Sequence, residues 1–345
     1  MNIIIAILIF SFIIFFHEMG HFLLAKKNDV RVNEFSIGMG PRIFHFTRGE
    51  TTYCLKALPF GGSCAMEGED EESNDDRAFN KKTLWQKFQI VFAGPFFNLL
   101  LGFLLSLILI GVNGYSPAVI EDVMDGYPAQ EAGLKAGDEI TKLGGYNVHF
   151  YNEVSIYTFF HNDEPFEVTV KRNDETIKTT VTPKYSEEDK RYLVGITGGV
   201  AHVRPGIIGT ITHSFYYVKY QVYMVVESLK GLFRGKFGLN DLSGPVGIVK
   251  SMGDTYNEAA KVSVISVIFT MLNYMILLTS NLGVMNLLPI PALDGGRILI
   301  YIVEGITRRK MPEKVEGYIN IIGFFILMAL MVVVMGNDIR KLFMR

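Results

Sequence analysis

This 345-residue sequence is poor in cysteine, in tryptophan and in net charge. Its two cysteines, Cys54 and Cys64, have no second Cys or His pair at metal-site spacing. That excludes a disulfide framework and a zinc ribbon, and leaves two packed thiols. A formal net charge of −2 supplies no basic excess to draw the chain to nucleic acid, and no Lys/Arg stretch lies beside aromatics that stack bases. No Lys or Arg precedes the first apolar run and no small-x-small cleavage site follows it, so a signal peptide fits poorly. What the sequence does have is apolar length: 49% hydrophobic residues and a positive mean hydropathy, which turn attention to membrane spans.

Residues 2–25 form a nearly unbroken apolar run, long enough to cross a bilayer core. Lys26 and Lys27 at its far end put the amino terminus outside and this end in the cytoplasm. A second run, about 88–112, follows Lys81, Lys82 and Lys87 and returns the chain to the outer side. The third, 262–306, is too long for one straight helix and is interrupted by Pro289, Pro291, Gly295 and Gly296. A fourth covers about 319–335, with Arg308, Arg309 and Lys310 before it and Arg340, Lys341 and Arg345 after it. The last flank opposes the other three, which outvote it. From Ile208 to Leu232 apolar positions recur every three or four residues, which predicts an amphipathic helix in the interface or on a partner, not a fifth span. Residues 116–184 read as a small outer domain with β-like alternation in 166–170 and 177–181. The acidic stretch 67–76 reads as a solvated loop.

His17-Glu18-Met19-Gly20-His21 is an HExxH pattern. On a helix it sets both imidazoles one turn apart on one face, where they reach one metal ion. Polar groups inside an apolar span are costly, which favours a function over two hydrogen-bonded core histidines. A catalytic zinc takes three protein ligands and keeps one position open for water. Of the acids in the third run, Asp294 lies beside the helix break, whereas Glu304 sits near the end of the run and is expected to face water. Zinc there polarises a carbonyl and acidifies water, and Glu18 takes the proton and passes it to a leaving amine. Peptide hydrolysis is the expected outcome. The remaining histidines, His45, His149, His161, His202 and His213, lie outside the spans and suit surface or structural roles.

HEMGH in the first span, Phe60-Gly61-Gly62 in the loop after it, Ala93-Gly94-Pro95 with Asn98 in the second, and NLLPIPALDGGR in the third occur in one order. Together they resemble the site-2 protease family of intramembrane zinc metalloproteases, in the bacterial branch that cleaves anti-sigma factors. The resemblance implies zinc ligation by His17, His21 and Asp294, Glu18 as catalytic base, and Asn286 and Pro289 holding an unwound substrate. It implies that residues 128–140 belong to a PDZ domain, a single one. The opening segment 116–122 lacks a glycine-rich carboxylate-binding loop, which counts against capture of a free carboxyl terminus and leaves both peptide binding and a size filter over the active site as roles for this domain. The loop 58–66 resembles the family's membrane-associated β-hairpin, whose edge pairs with an extended substrate.

The expected fold is a polytopic α-helical membrane protein of about four transmembrane helices, the third interrupted, with a cytoplasmic β-hairpin loop and an inserted extracytoplasmic PDZ domain (α+β). Residues 1–113 hold the first two spans and the hairpin, 114–186 the PDZ domain, 187–261 a linker with the amphipathic helix, and 262–345 the last two spans. The expected setting is the bacterial cytoplasmic membrane, with the active site opening toward the cytoplasm. The implied partners are the lipid bilayer and transmembrane substrates: anti-sigma factors already cut once outside, and signal-peptide remnants. A metal transporter is disfavoured, since no second intramembrane cluster leads onward and transit gives no reason for Glu18 beside His17. The alternative is a catalytically inactive scaffold acting through its PDZ domain.

Overall fold

Isoleucine and phenylalanine are indifferent helix formers in water, but an apolar segment with no proline must satisfy its backbone internally, and in apolar surroundings a helix does so. Residues of this kind form α1 (Asn2–Lys27). The computed structural model describes residues 2–343 except 70, 72, 163 and 239, and leaves the side chains of 2, 59, 60 and 313 undescribed. Asp70 and Glu72 of the acidic stretch, the Phe60 side chain and Arg345 therefore lie outside the described residues.

After α1 come β1 (Val32–Arg48), β2 (Thr51–Met66) and α2 (Leu84–Asn113). A β-rich stretch follows: β3 (Ile120–Val123), α3 (Pro128–Glu131), β4 (Glu139–Leu143), β5 (Tyr146–Asn147), α4 (Tyr151–Phe160), β6 (Phe166–Arg172), β7 (Glu175–Val181), β8 (Lys184–Ser186), β9 (Arg191–Leu193) and β10 (Ile196–Gly198). Helices complete the chain: α5 (Ile207–Phe233), α6 (Pro245–Val262), α7 (Val264–Asn286), α8 (Asp294–Thr307) and α9 (Glu313–Phe343). The chain divides into a helical unit, 1–105 with 237–345, and a β-rich unit, 106–236, the division falling within α2. Among the described residues, α1, α2, α7 and α9 are long and apolar enough to cross a membrane.

In the helical unit the hairpin is larger than the 58–66 loop expected, because pairing begins at Val32. Residues 32–37 pair with 62–66 on one side (Val32 with Met66, Ile37 with Gly62) and with 52–55 on the other (Glu34 with Thr52, Ile37 with Leu55). Residues 42–48 fold onto 51–56. Segment 62–66 is left at an edge, where a side chain on Gly62 would meet Glu18 and Ile14 of α1. At the tight turn between β1 and β2, Arg77 grips Glu50 with both guanidinium nitrogens (2.6 and 2.9 Å), and Lys26 binds it from the end of α1. These cations hold the Glu50 carboxyl down at about 2. Cys54 and Cys64 are free and buried, as packed thiols should be.

The third apolar run breaks as its prolines require. Helix α7 ends at Asn286, and α8 begins at Asp294. The intervening chain folds so tightly onto α8 that a Cβ on Gly295 would lie 2.2 Å from the Leu288 carbonyl oxygen. Helix α9 clamps this break: Asn320 accepts a hydrogen bond from the Ala292 amide at 3.3 Å, and Gly323 lies against Pro291. Glu304 departs from expectation. It is buried, because its carboxylate turns back to accept from the Met311 amide at 2.6 Å and so closes the α8–α9 connection.

In the β-rich unit, β5, β4, β6 and β7 form an antiparallel sheet in that order, with Ile120, Ile140, Leu143, Val168 and Val170 at the core. Strand β10 pairs with β3, which carries this folded unit beyond the expected boundary at 186, so 187–198 is not linker. Nor are residues 245–261 linker, since α6 packs on α7 in the helical unit. Helix α5 spends its aromatic stripe on its own unit. Tyr216 stacks on His149 (3.6 Å), His213 on Tyr115 (3.9 Å) and Tyr223 on Tyr146 (4.1 Å), while Ile207, Ile208, Ile211 and Phe215 stay exposed. His149 and His213 thus have the structural roles expected of them.

A buried ion pair fastens the sheet to the turn before β4. Asp138, fully buried, receives Arg172 Nε and Nη2 (2.6 and 2.7 Å) and the Lys135 amide (2.9 Å). Burial alone would raise the Asp138 carboxyl, but the Arg172 fork and the Lys135 amide outweigh it and hold it below its ordinary value. A carboxyl lowered on folding adds stability above its unfolded pKa and gives it up as pH falls through the folded value. Protection factors for amide hydrogen exchange across 118–172 should therefore hold at neutral pH and fall only once pH drops below the ordinary Asp value of about 3.9. In Asp138→Asn the exchange should be faster at neutral pH and should lose that acid step.

Candidate metal centre

His17 and His21 occupy successive turns of α1, and both are buried. Their Nε2 atoms are 3.2 Å apart, with the rings at nearly right angles. Asp294, the first residue of α8, brings its Oδ2 to 3.3 Å from His17 Nε2 and 3.6 Å from His21 Nε2. That oxygen is buried and has no hydrogen-bond partner. Donors about 2.0–2.1 Å from a tetrahedral zinc lie roughly 3.3 Å from one another. The triangle of two ring nitrogens and one carboxylate oxygen has that size, so the residues present fit such an ion. Among the described residues, this is the one cluster of three such ligands.

The surroundings fix these side chains in place. His21 Nδ1 donates to the Ile90 carbonyl of α2 at 2.9 Å, leaving Nε2 to face Asp294. Asn98, wholly buried, lies one turn beyond Gly94 on α2 and sets Nδ2 3.1 Å from His17 Nδ1. Its backbone carbonyl accepts from Thr279 Oγ1 of α7 at 2.9 Å, which ties α2 to α7 at this depth. Gly94 makes the room: a Cβ there would lie 2.2 Å from His21 Nε2 and 2.7 Å from His17 Cε1. Gly20 plays the same part between α1 and α2, where a Cβ would lie 2.4 Å from the Ala93 carbonyl oxygen.

The other expected site residues, Asn286, Glu18 and Pro289, stand differently. Asn286, the last residue of α7, places Nδ2 3.4 Å from His17 Nε2. Glu18 is half-buried, its side chain turned to the Gly62 position of the hairpin edge. Pro289 is exposed within the break. A cavity of about 950 Å³ reaches Asp294 between α8, α9 and the start of α2, with Lys81, Lys87 and Lys310 among its lining residues. Arg297 and Glu69 pair across it, joining α8 to the chain after the hairpin.

The profile of peptidase family M50 matches residues 5–330. The chain belongs to peptidase family M50. It is 39% identical over 338 residues to a candidate zinc metalloprotease of Clostridium acetobutylicum, covering 98% of this chain and 97% of that one. It is 30% identical to the zinc metalloprotease RasP of Geobacillus kaustophilus (98% and 97% covered) and 28% identical to the regulator of sigma-W protease RasP of Bacillus subtilis (98% of each). A solved PDZ domain from a Listeria monocytogenes SdrC-like protein overlaps 24% of the chain and 86% of its own length at 21% identity, with a TM-score of 0.21. This M50 chain is a multi-pass membrane protein and a metalloendopeptidase of the site-2 protease type.

Two members of this M50 centre had no role assigned from sequence, although both stand in its motifs. Gly94 acts through the atoms it lacks, and Asn98 through a contact between residues 81 positions apart. The available signal was their spacing of four, which puts them on one face of α2 as His17 and His21 are on one face of α1. Adding a methyl group at position 94 should force the rings apart. Gly94→Ala should therefore fall well below one bound metal per chain by elemental analysis, whereas Gly336→Ala, with nothing near its Cβ, should load as the parent does.

Proposed function

We propose that this chain is an intramembrane zinc metalloprotease that hydrolyses peptide bonds within transmembrane segments of single-span proteins. The observation that carries the reading is the convergence of His17, His21 and Asp294 on one point, two of them within a helix able to span a membrane and the third at the mouth of a helix break. Zinc bound there supplies Lewis acidity toward a carbonyl and toward water. His17, His21 and Asp294 are its ligands, and Glu18 is the base that takes a proton from the attacking water and delivers it to the leaving amine. The Asn286 carboxamide, 3.4 Å from His17 Nε2, holds the scissile region, and Pro289 keeps the break open.

A helical substrate offers no free amides to attack, so it must unwind. The hairpin edge 62–66, against Glu18, gives an unwound strand something to pair with. Basic flanks at Lys26, Lys27, Lys81 and Lys87 support a hairpin on the cytoplasmic side of a bacterial cytoplasmic membrane, with the amino terminus and β-rich unit outside. The α3 turn and the β4–β5–α4–β6 order of that unit suit a PDZ domain. The Bacillus subtilis relative is named as a regulator of sigma-W protease, which favours anti-sigma factors already trimmed outside as substrates, with signal-peptide remnants as a second class.

With the detergent-purified chain and a single-span model substrate, Glu18→Gln should lower cleavage by roughly 10²–10⁴-fold while keeping its zinc. Asp294→Asn should lose both. Cleavage by Glu18→Gln at the parent rate would overturn the assignment of the base.

A further inference from the structure

Both imidazoles at the centre turn Nε2 toward Asp294 and Nδ1 away from it. For His21 the outer nitrogen meets a carbonyl, the Ile90 oxygen, which only accepts. A neutral His21 therefore carries its proton on Nδ1 and presents a lone pair at Nε2. For His17 the outer nitrogen meets an amide nitrogen, Asn98 Nδ2, while Asn98 Oδ1 is buried with no partner. Nitrogen facing nitrogen bonds in one way here: Nδ1 accepts, and the ring proton sits on Nε2. That proton would occupy the space where His21 Nε2 and Asp294 Oδ2 converge, and His17 would offer no lone pair to an ion.

A carboxamide keeps its shape when rotated half a turn, and its oxygen and nitrogen are told apart only by what they must bond to. We propose that Asn98 is the positioning residue for His17: rotated by half a turn, its Oδ1 accepts the Nδ1 proton, holding the ring in the tautomer whose Nε2 lone pair faces the metal. The inference rests on reading His17 as a ligand. It gives Oδ1 a partner, with Nδ2 taking the place Oδ1 held, and it gives the two histidines matching support from one helix, a main-chain carbonyl for His21 and a side-chain carbonyl four residues past Gly94 for His17. The Thr279 bond to the Asn98 main chain fixes where that side chain starts.

Zinc affinity separates this role from packing, because it needs no turnover. The full chain in detergent is titrated against a chromophoric zinc chelator as the parent and as Asn98→Asp, Asn98→Leu, Asn98→Ala and His17→Ala. Removing such a supporting acceptor typically weakens metal binding by about 10–100-fold. Asn98→Leu and Asn98→Ala should each show a loss of that size, and Asn98→Asp, whose carboxylate accepts the same proton, should bind within a few-fold of the parent. Should Asn98→Leu prevent folding, as judged by helical circular dichroism of the zinc-free chain, the Ala and Asp variants carry the comparison. Parent-like affinity in the Ala variant, or an Asp variant as weak as Ala, would overturn the proposal. Parent-like affinity in His17→Ala would instead overturn the ligand assignment on which it rests.

Discussion

Two imidazoles and a carboxylate set among apolar helices are expensive unless each polar atom is answered, and much of the helical unit is arranged around meeting that demand. Helix α1 contributes His17 and His21, which one helical turn puts side by side. Helix α2 comes close enough to answer their outer nitrogens only because Gly20 and Gly94 leave no side chain in the way. The third ligand needs a carboxylate at the same depth on a different element. A broken helix supplies it, since the break lets Asp294 stand at a helix start and point inward. The break then has its own exposed backbone to satisfy, and α9 meets part of that need through Asn320.

The β-rich unit is held by different means. Its core is largely aliphatic, one of its buried carboxylates, Asp138, is paired with Arg172, and its long helix α5 is docked by stacked rings. A stripe of aromatic residues with polar ones between reads equally well as a surface for lipid or for protein. Here the first part of α5 keeps Ile207, Ile208 and Ile211 exposed while Tyr220 and Val225 are buried, so the helix packs on its own unit along only part of its length.

What the sequence made legible was chemistry with local spacing: HExxH on a helix, prolines and glycines at a break, an acid beside that break. These depend on residues within a turn or two of one another, where spacing dictates geometry. Contacts between distant segments were not legible. The pairing of β10 with β3 joins residues more than seventy positions apart and moved the domain boundary, and the double pairing of residues 32–37 depends on register shifts that no alternation pattern announces. Glu304 was misread for a related reason: position near the end of an apolar run suggested water, but the following turn brought back an amide for it to bind. The glycine at 94 was visible as a letter of a motif, and its meaning lay in two rings on another helix.

The separation of the ligands along the chain has a consequence during synthesis. His17 and His21 emerge from the ribosome early, together with Glu18, while Asp294 and the break that aims it follow only after the whole β-rich unit has been made. Chains grow amino end first at about 5–20 residues per second, so for many seconds a partly built protein holds the two histidines without the carboxylate. A newborn chain threading through the membrane beside other unfinished helices is thus chemically blunt, and its cutting edge is assembled last.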